Sequence, residues 1–95
     1  MDRHDWTIKD EVIALFLYKF GEEDLIFDIP GIASKLGMSK DSLKAKIENF
    51  KFLDTGKGLS NFSKNSKQVY EDFKNAPKNI YLAVVKTFLS PQKVK

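Results

Sequence analysis

"IASKLGMSKDSLKAKIENF", residues 32–50, decides how the rest of the chain is read. Ala33 stands four residues before Gly37, Met38 follows the glycine, and Ser39 leads a segment with apolar residues at Leu43, Ile47 and Phe50. The pattern predicts helices at about 31–36 and 40–52, joined by a tight turn at Gly37, Met38 and Ser39. Glycine tolerates the positive φ that such a turn needs, and a serine before a helix caps its free N–H groups. A helix-turn-helix asks for a small residue where the helices cross, a turn residue without a clashing Cβ, and apolar residues that fix the second helix. Ala33, Gly37 and Leu43 meet these demands, with Ile32, Leu36 and Met38 as supporting core. One position departs from the pattern. The motif's last apolar residue falls three after Leu43, where this chain has Lys46. Ile47 takes that role on a 3.6-residue period, so Leu43, Ile47 and Phe50 are expected to form the inner stripe.

At roughly 100° per residue, the opposite face of the second helix carries Asp41, Ser42, Ala45, Glu48 and Asn49. Lys40, Lys44 and Lys51 lie along one flank and Lys46 along the other. Short polar side chains face outward, where base edges would be, and lysines stand beside them, where phosphates would be. Asn49 has the amide that pairs with an adenine edge in the major groove. It has a competing structural role, as a cap or tether for the loop that follows. Asp41 and Glu48 oppose the DNA reading, because carboxylates repel phosphate.

Working outward, Thr7 caps a first helix at about 7–20, with Asp10 and Glu11 at its positive end. Apolar residues recur at 8, 12, 13, 15, 16 and 20, and Gly21 ends the helix. Residues 22–29 are acidic, then apolar, and fit either a connector or a short helix; Pro30 suits the first turn of the next helix. "LDTGKGLSNFS", residues 53–63, is a loop by its glycines and its Ser/Asn cluster, with room for a short extended piece near Leu59. A fourth helix is expected at 66–75. A fifth at 78–89 is favoured over a strand by its length and by Pro77 and Pro91 on either side. The expectation is a single, mainly α domain over 1–95, with flexible ends at 1–5 and 91–95.

The chain has 95 residues, 42% hydrophobic and 13% aromatic, which is enough for one apolar core without disulfides or metal. It has no cysteine, so a thiolate site is excluded, and a reducing cytoplasmic setting is the default expectation. The longest apolar run, Val12 to Tyr18, is far short of the roughly 20 residues that a membrane helix needs, and no targeting segment is visible. The net charge of +3 is unevenly spread. Residues 1–30 hold three basic and eight acidic residues, a balance of −5, whereas residues 31–70 hold eight lysines and three acids, a balance of +5. Such asymmetry points to a polyanion or to a second protein.

Catalytic chemistry finds little support. "TGKGLS" is not a phosphate-binding loop, because Lys51 stands where that motif has its first glycine and Gly58 where it has Ser or Thr. Asp72 and Lys74 have the acid-x-Lys spacing of some nucleases but no partner acid. His4 is the only histidine. No metal cluster or triad can be assembled, so neither an enzyme nor a cofactor is expected.

The ordered string Trp6-Thr7, Glu11, Leu15, Tyr18, Ile32-Ala33, Leu36-Gly37, Ser42-Leu43, Lys46-Ile47, Asn49-Phe50, Leu53-Asp54, Gly58-Leu59-Ser60 and Val69-Tyr70-Glu71-x-Phe73 resembles the small N-terminal module ahead of the nuclease domain in bacterial and phage HNH-type restriction endonucleases. The resemblance covers roughly residues 5–75. It implies a helical module that places a nuclease on DNA, with Ser42, Lys46, Asn49 and the loop residues Leu59, Ser60 and Asn61 as functional candidates. No HNH segment follows, so cleavage is not implied.

Two readings stand. In the first, the protein binds duplex DNA through Lys35, Lys40, Ser42, Lys44, Ala45, Lys46, Asn49, Lys51, Lys57, Ser60 and Asn61. In the second, it is a protein-interaction module, either a homodimer or a phage-encoded inhibitor of a host protein, that acts through helix 78–89 or the acidic region 1–30.

Overall fold

A computed structural model describes residues 5–89; the expected flexible ends, apart from Asp5, and His4 lie outside the described residues. Five helices follow one another: α1 (Ile8–Phe20), α2 (Ile29–Leu36), α3 (Lys40–Thr55), α4 (Lys64–Phe73) and α5 (Lys78–Leu89). No strand occurs among the described residues, so the piece near Leu59 is loop. The small all-α domain read from the sequence is the fold observed. No helix among these residues is long and apolar enough to cross a membrane.

The helix ends are set by local chemistry. Thr7 and Asp10 form a reciprocal capping box at the start of α1. Asp28 caps α2, which starts at Ile29, two residues earlier than expected, with Pro30 in its first turn. Gly37 ends α2 at φ +82°, in the left-handed region where a side chain is strained. Ser39 caps α3, which continues to Thr55, beyond the expected 52. Ser63 caps α4, so that helix starts and ends about two residues earlier than expected.

α1 is the centre of the molecule. Val12 through Leu17 are buried without interruption, and a helix that is apolar all round must be enclosed. It packs on α3, α4 and α5, while α2 covers α3. Tyr81 joins α5 to this core: its ring meets Phe16 edge-on at 5.3 Å and Phe73 at 5.2 Å, and its hydroxyl donates to the Val12 carbonyl at 2.6 Å.

The inner stripe of α3 differs from the expected one. Leu43 and Phe50 are fully buried, but Ile47 is only partly so, and Lys46 and Asn49 are each 8% exposed. The helix is thus turned by roughly half a residue step, so that Lys46 keeps the inward position that the motif assigns to its last apolar residue. A lysine can sit there because its ammonium is paired. Lys46 Nζ donates to Glu11 Oε2 at 3.2 Å and to Ser66 Oγ at 3.0 Å, and Ser66 Oγ donates to Glu11 Oε1 at 2.6 Å. The Trp6 ring covers the ammonium at 4.7 Å. No buried side-chain nitrogen or oxygen among the described residues lacks a partner.

Removing Glu11 or Lys46 leaves the other charge buried without its counter-charge. Glu11→Ala should lower unfolding free energy by about 3–5 kcal/mol, and the double variant Glu11→Leu, Lys46→Met should recover most of that loss. Urea unfolding of the three proteins checks it.

Candidate nucleic-acid interface

α2 and α3, joined at Gly37, carry a row of exposed polar side chains. Ala33, buried where α2 meets α3, admits the close crossing, and Met38 and Leu43 fill the space beneath the turn. On the outer side of α3, Lys40, Asp41, Lys44, Ala45 and Lys51 are exposed, while Ser42 and Glu48 are half-buried. The turned helix brings Lys44 and Lys40 toward the centre of the exposed face, and its N-terminal half is the open part. That half is the part of a second helix that enters a major groove in helix-turn-helix proteins.

Two of the eleven candidate residues do not lie on this face. Lys46, expected on a flank, is inside and bound to Glu11 and Ser66. Asn49, expected to face outward, is buried, and its amide donates to the Leu59 carbonyl at 2.9 Å. The loop-tethering role is therefore the one its geometry serves. The other nine are brought to the surface of α2, α3 and the loop: Lys35, Lys40, Ser42, Lys44, Ala45, Lys51, Lys57, Ser60 and Asn61. Ser42 Oγ accepts from Ser39 Oγ at 3.1 Å, so it belongs to the start of α3 as well as to the face.

Of the eight lysines in residues 31–70, Lys46 is in an ion pair; the other seven form none among the described residues. Lys35 Nζ lies 5.4 Å over the Phe27 ring. By contrast, several acids of the N-terminal region already serve the fold. Asp10 completes the cap of α1, Glu11 holds Lys46, Asp28 caps α2, Glu22 accepts the Ile29 N–H, and Asp24 pairs with Lys78 at 2.6 Å. The charge asymmetry of the sequence is therefore carried by lysines of residues 31–70 that form no ion pair among the described residues, beside Asp41 and Glu48, whereas five acids of the N-terminal region are engaged in caps, hydrogen bonds or ion pairs.

The loop after α3 is shaped by its own contacts. Thr55 Oγ1 accepts from the Lys57 N–H at 3.1 Å. Gly58 has φ +116°, and a Cβ there would meet the Glu48 carbonyl oxygen at 2.8 Å. Both facts require glycine. Phe62 then packs beside Phe52, with ring centroids 6.0 Å apart.

A second polar cluster lies where α1, α3 and α4 meet. Tyr18 and Tyr70 each donate a 2.7 Å hydrogen bond to Asp54, one to each carboxylate oxygen. They line a recess of about 330 Å³ with Lys19, Phe20 and Lys74, and the Lys19 ammonium donates to the Lys74 carbonyl. The hydrogen bonds from Tyr18 and Tyr70 hold the Asp54 carboxyl below its ordinary value, and the same bonds push both phenols up to about 12. Neither the carboxylate nor the phenols titrate near neutrality, as a general acid or base would. Among the described residues no group of three or more potential ligands gathers as a metal site.

Comparison with protein-family models, with curated proteins and with solved structures returned no match.

Sequence reasoning missed the Glu11–Lys46–Ser66 triangle and the Tyr18–Asp54–Tyr70 tie. A signal for the first was present: Lys46 interrupts the apolar stripe of α3, and Glu11 directly precedes the apolar run of α1. Two opposite charges at inward positions are a candidate pair. Nothing local marks the second, which joins residues 36 and 16 positions apart.

The tie has a pH signature. The Asp54 contribution is complete above the ordinary aspartate value of 3.8 and is lost as pH falls through its lowered one. The phenol contribution is complete below 10.0 and is lost as pH rises toward about 12. Asp54→Ala should cost about 1–2 kcal/mol near neutral pH, at the low end for a charged acceptor because water screens the site. The difference between the two proteins should shrink at both extremes, as read from urea midpoints across pH. Asn49→Ala should lower stability by about 1 kcal/mol, as read from urea unfolding.

Proposed function

We propose that the protein is a small duplex-DNA-binding domain in which α2 and α3 act as a helix-turn-helix and the N-terminal half of α3 faces the major groove. The observation that carries this reading is the set of exposed lysines on α2, α3 and the following loop, Lys35, Lys40, Lys44, Lys51 and Lys57, which form no ion pair among the described residues, on an α2–Gly37–α3 unit whose second helix is open along its first turns. Lys40, Lys44, Lys51 and Lys57 hold the phosphates, and Ala45 with Ser42 faces the base edges. Asp41 and Glu48 disfavour phosphate close to them and so restrict how α3 can enter the groove. Lys46 and Asn49 act from inside, by fixing the orientation of α3 and the path of the loop. Together with the resemblance to the module that precedes HNH-type nucleases, this role extends to positioning a nuclease on DNA; the cutting itself belongs to another polypeptide segment.

A second reading is favoured by two surface features. Ile26 is 84% exposed in the loop between α1 and α2, and Ile80 is 58% exposed on α5, where Ala83 and Thr87 are exposed as well, beside Lys86. Under this reading those surfaces meet a protein, either a second copy or a host protein.

Titration of labelled duplex DNA at several salt concentrations separates the two. DNA binding through roughly 3–5 phosphate contacts should have a log–log salt slope of roughly −3 to −5, and Lys44→Ala should reduce the slope by about one unit on every sequence. No binding at low salt would overturn the DNA reading, and a change of oligomeric state on Ile80→Asp would favour the second.

A further inference from the structure

Loop 57–62 carries an apolar side chain outward on a backbone that is fixed at several points. The Thr55 hydroxyl accepts from the N–H of Lys57, Gly58 is pressed against the carbonyl of Glu48, the Asn49 amide holds the carbonyl of Leu59, and Phe62 is stacked beside Phe52. With the backbone held there, the Leu59 side chain stays 48% exposed. Its neighbours Lys57, Ser60 and Asn61 are exposed too. A leucine left in water by a mobile loop is ordinary, because most protein surface is apolar. Here a buried asparagine and an obligatory glycine both serve to hold the loop in place. Packing of the core does not explain that arrangement, since Leu59 contributes nothing to it.

The position of the loop relative to α3 defines what it can reach. Its anchors on α3 are Glu48, Asn49 and Phe52, in the C-terminal half, whereas the open half is Lys40 to Ala45. From Ala45 to Phe52 is seven residues, roughly 10 Å along the axis. A major groove is about 12 Å wide, with one phosphate strand between it and the neighbouring minor groove. Lys51, Lys57 and Lys64, all exposed and without ion pairs among the described residues, stand before, in and after the loop in sequence and supply positive charge for that strand, while the Glu48 carboxylate lies at Gly58, where a Cβ would meet its Oε1 at 3.1 Å.

We infer that loop 57–62 is a second DNA-contacting element, which crosses the phosphate strand beside α3 and sets Leu59 against the floor or sugar walls of the adjacent minor groove. The inference rests on the DNA-binding reading above. Apolar side chains contact DNA there and wedge against base steps, whereas lysines only neutralise phosphate. Leu59 therefore adds affinity that salt does not remove, and Asn49 is the positioning residue that keeps it in register.

The test compares the wild-type protein, Leu59→Ala and Lys57→Gln on one duplex with an A·T-rich site, by fluorescence anisotropy over a range of salt. Each is measured with and without a small-molecule ligand that fills the minor groove. Thermal melts of the three should coincide, because both residues are exposed. Leu59→Ala should weaken binding about fivefold or more with an unchanged salt slope, whereas Lys57→Gln should lower the slope by about one unit. With the minor groove filled, wild type and Leu59→Ala should bind alike. If wild type binds and Leu59→Ala binds equally well, or if filling the minor groove leaves their difference intact, the inference is overturned while the helix-turn-helix reading stands. If wild type does not bind at low salt, the helix-turn-helix reading itself fails and the loop proposal goes with it.

Discussion

One buried ion pair sets the orientation of the helix on which the proposed function depends. Lys46 lies inside the domain only because Glu11 of α1 and Ser66 of α4 meet its ammonium and Trp6 covers it. A buried charge without partners is far more costly than a polar contact missed at the surface, so α3 cannot roll away from this arrangement without stranding either Lys46 or Glu11. The roll of α3 in turn decides which residues meet solvent. With Lys46 and Asn49 inward, Lys40 and Lys44 come toward the middle of the outer face and the asparagine leaves it. An apolar residue in place of Lys46 would pack as well, but it would specify the roll only through shape. The ion pair specifies it through charge and hydrogen-bond direction as well.

The same logic extends to the loop. Because Asn49 points inward and sideways, its amide is available to the carbonyl of Leu59, and Gly58 can lie directly on the backbone of Glu48. The face of α3 and the path of the following loop are thus two results of one rotational setting. Nearer the C-terminal end of α3, Asp54 draws Tyr18 of α1 and Tyr70 of α4 to a single carboxylate, a second tie between the same three helices that is open to water and held by hydrogen bonds rather than by an ion pair.

The elements of the fold were legible because their signals are local. Thr7 with Asp10, Ser39, Gly21 and Gly37 mark helix ends through contacts a few residues long, and the run from Val12 to Leu17 identifies the enclosed helix. Asp28 as a cap was legible in principle but was hidden by the more obvious Pro30. Ser63 and Ser66 compete for the same cap, and only the buried partner of Ser66 assigns it a different role. The candidate interface was legible as a region and not as a face. Lys35, Lys40, Lys44, Ala45 and the loop residues are exposed, as expected, although Lys40 and Lys44 lie nearer the centre of the face than periodicity put them. Lys46 and Asn49 do not, because the rule that lysine and asparagine face outward holds only when no distant group satisfies them. Glu11 and Ser66 are 35 and 20 positions away from Lys46, and Leu59 is ten from Asn49. The partners of Lys46 lie outside any window a helix long, and Leu59 lies beyond the end of the helix that carries Asn49.

The Glu11–Ser66 contact also has a consequence in time. Its two residues are 55 positions apart, so when the chain emerges from the ribosome α1, α2 and α3 are all made before α4 arrives. Until then Lys46 lacks one of its three neighbours, and the polar triangle that settles α3 stays open. Contacts of long sequence separation form only after loop closure has been met by other interactions. The α2–α3 pair is therefore complete in sequence before the last of the side chains that fix its orientation has been made. An excised segment spanning only α2, α3 and the loop would carry the basic face without the partners that orient it.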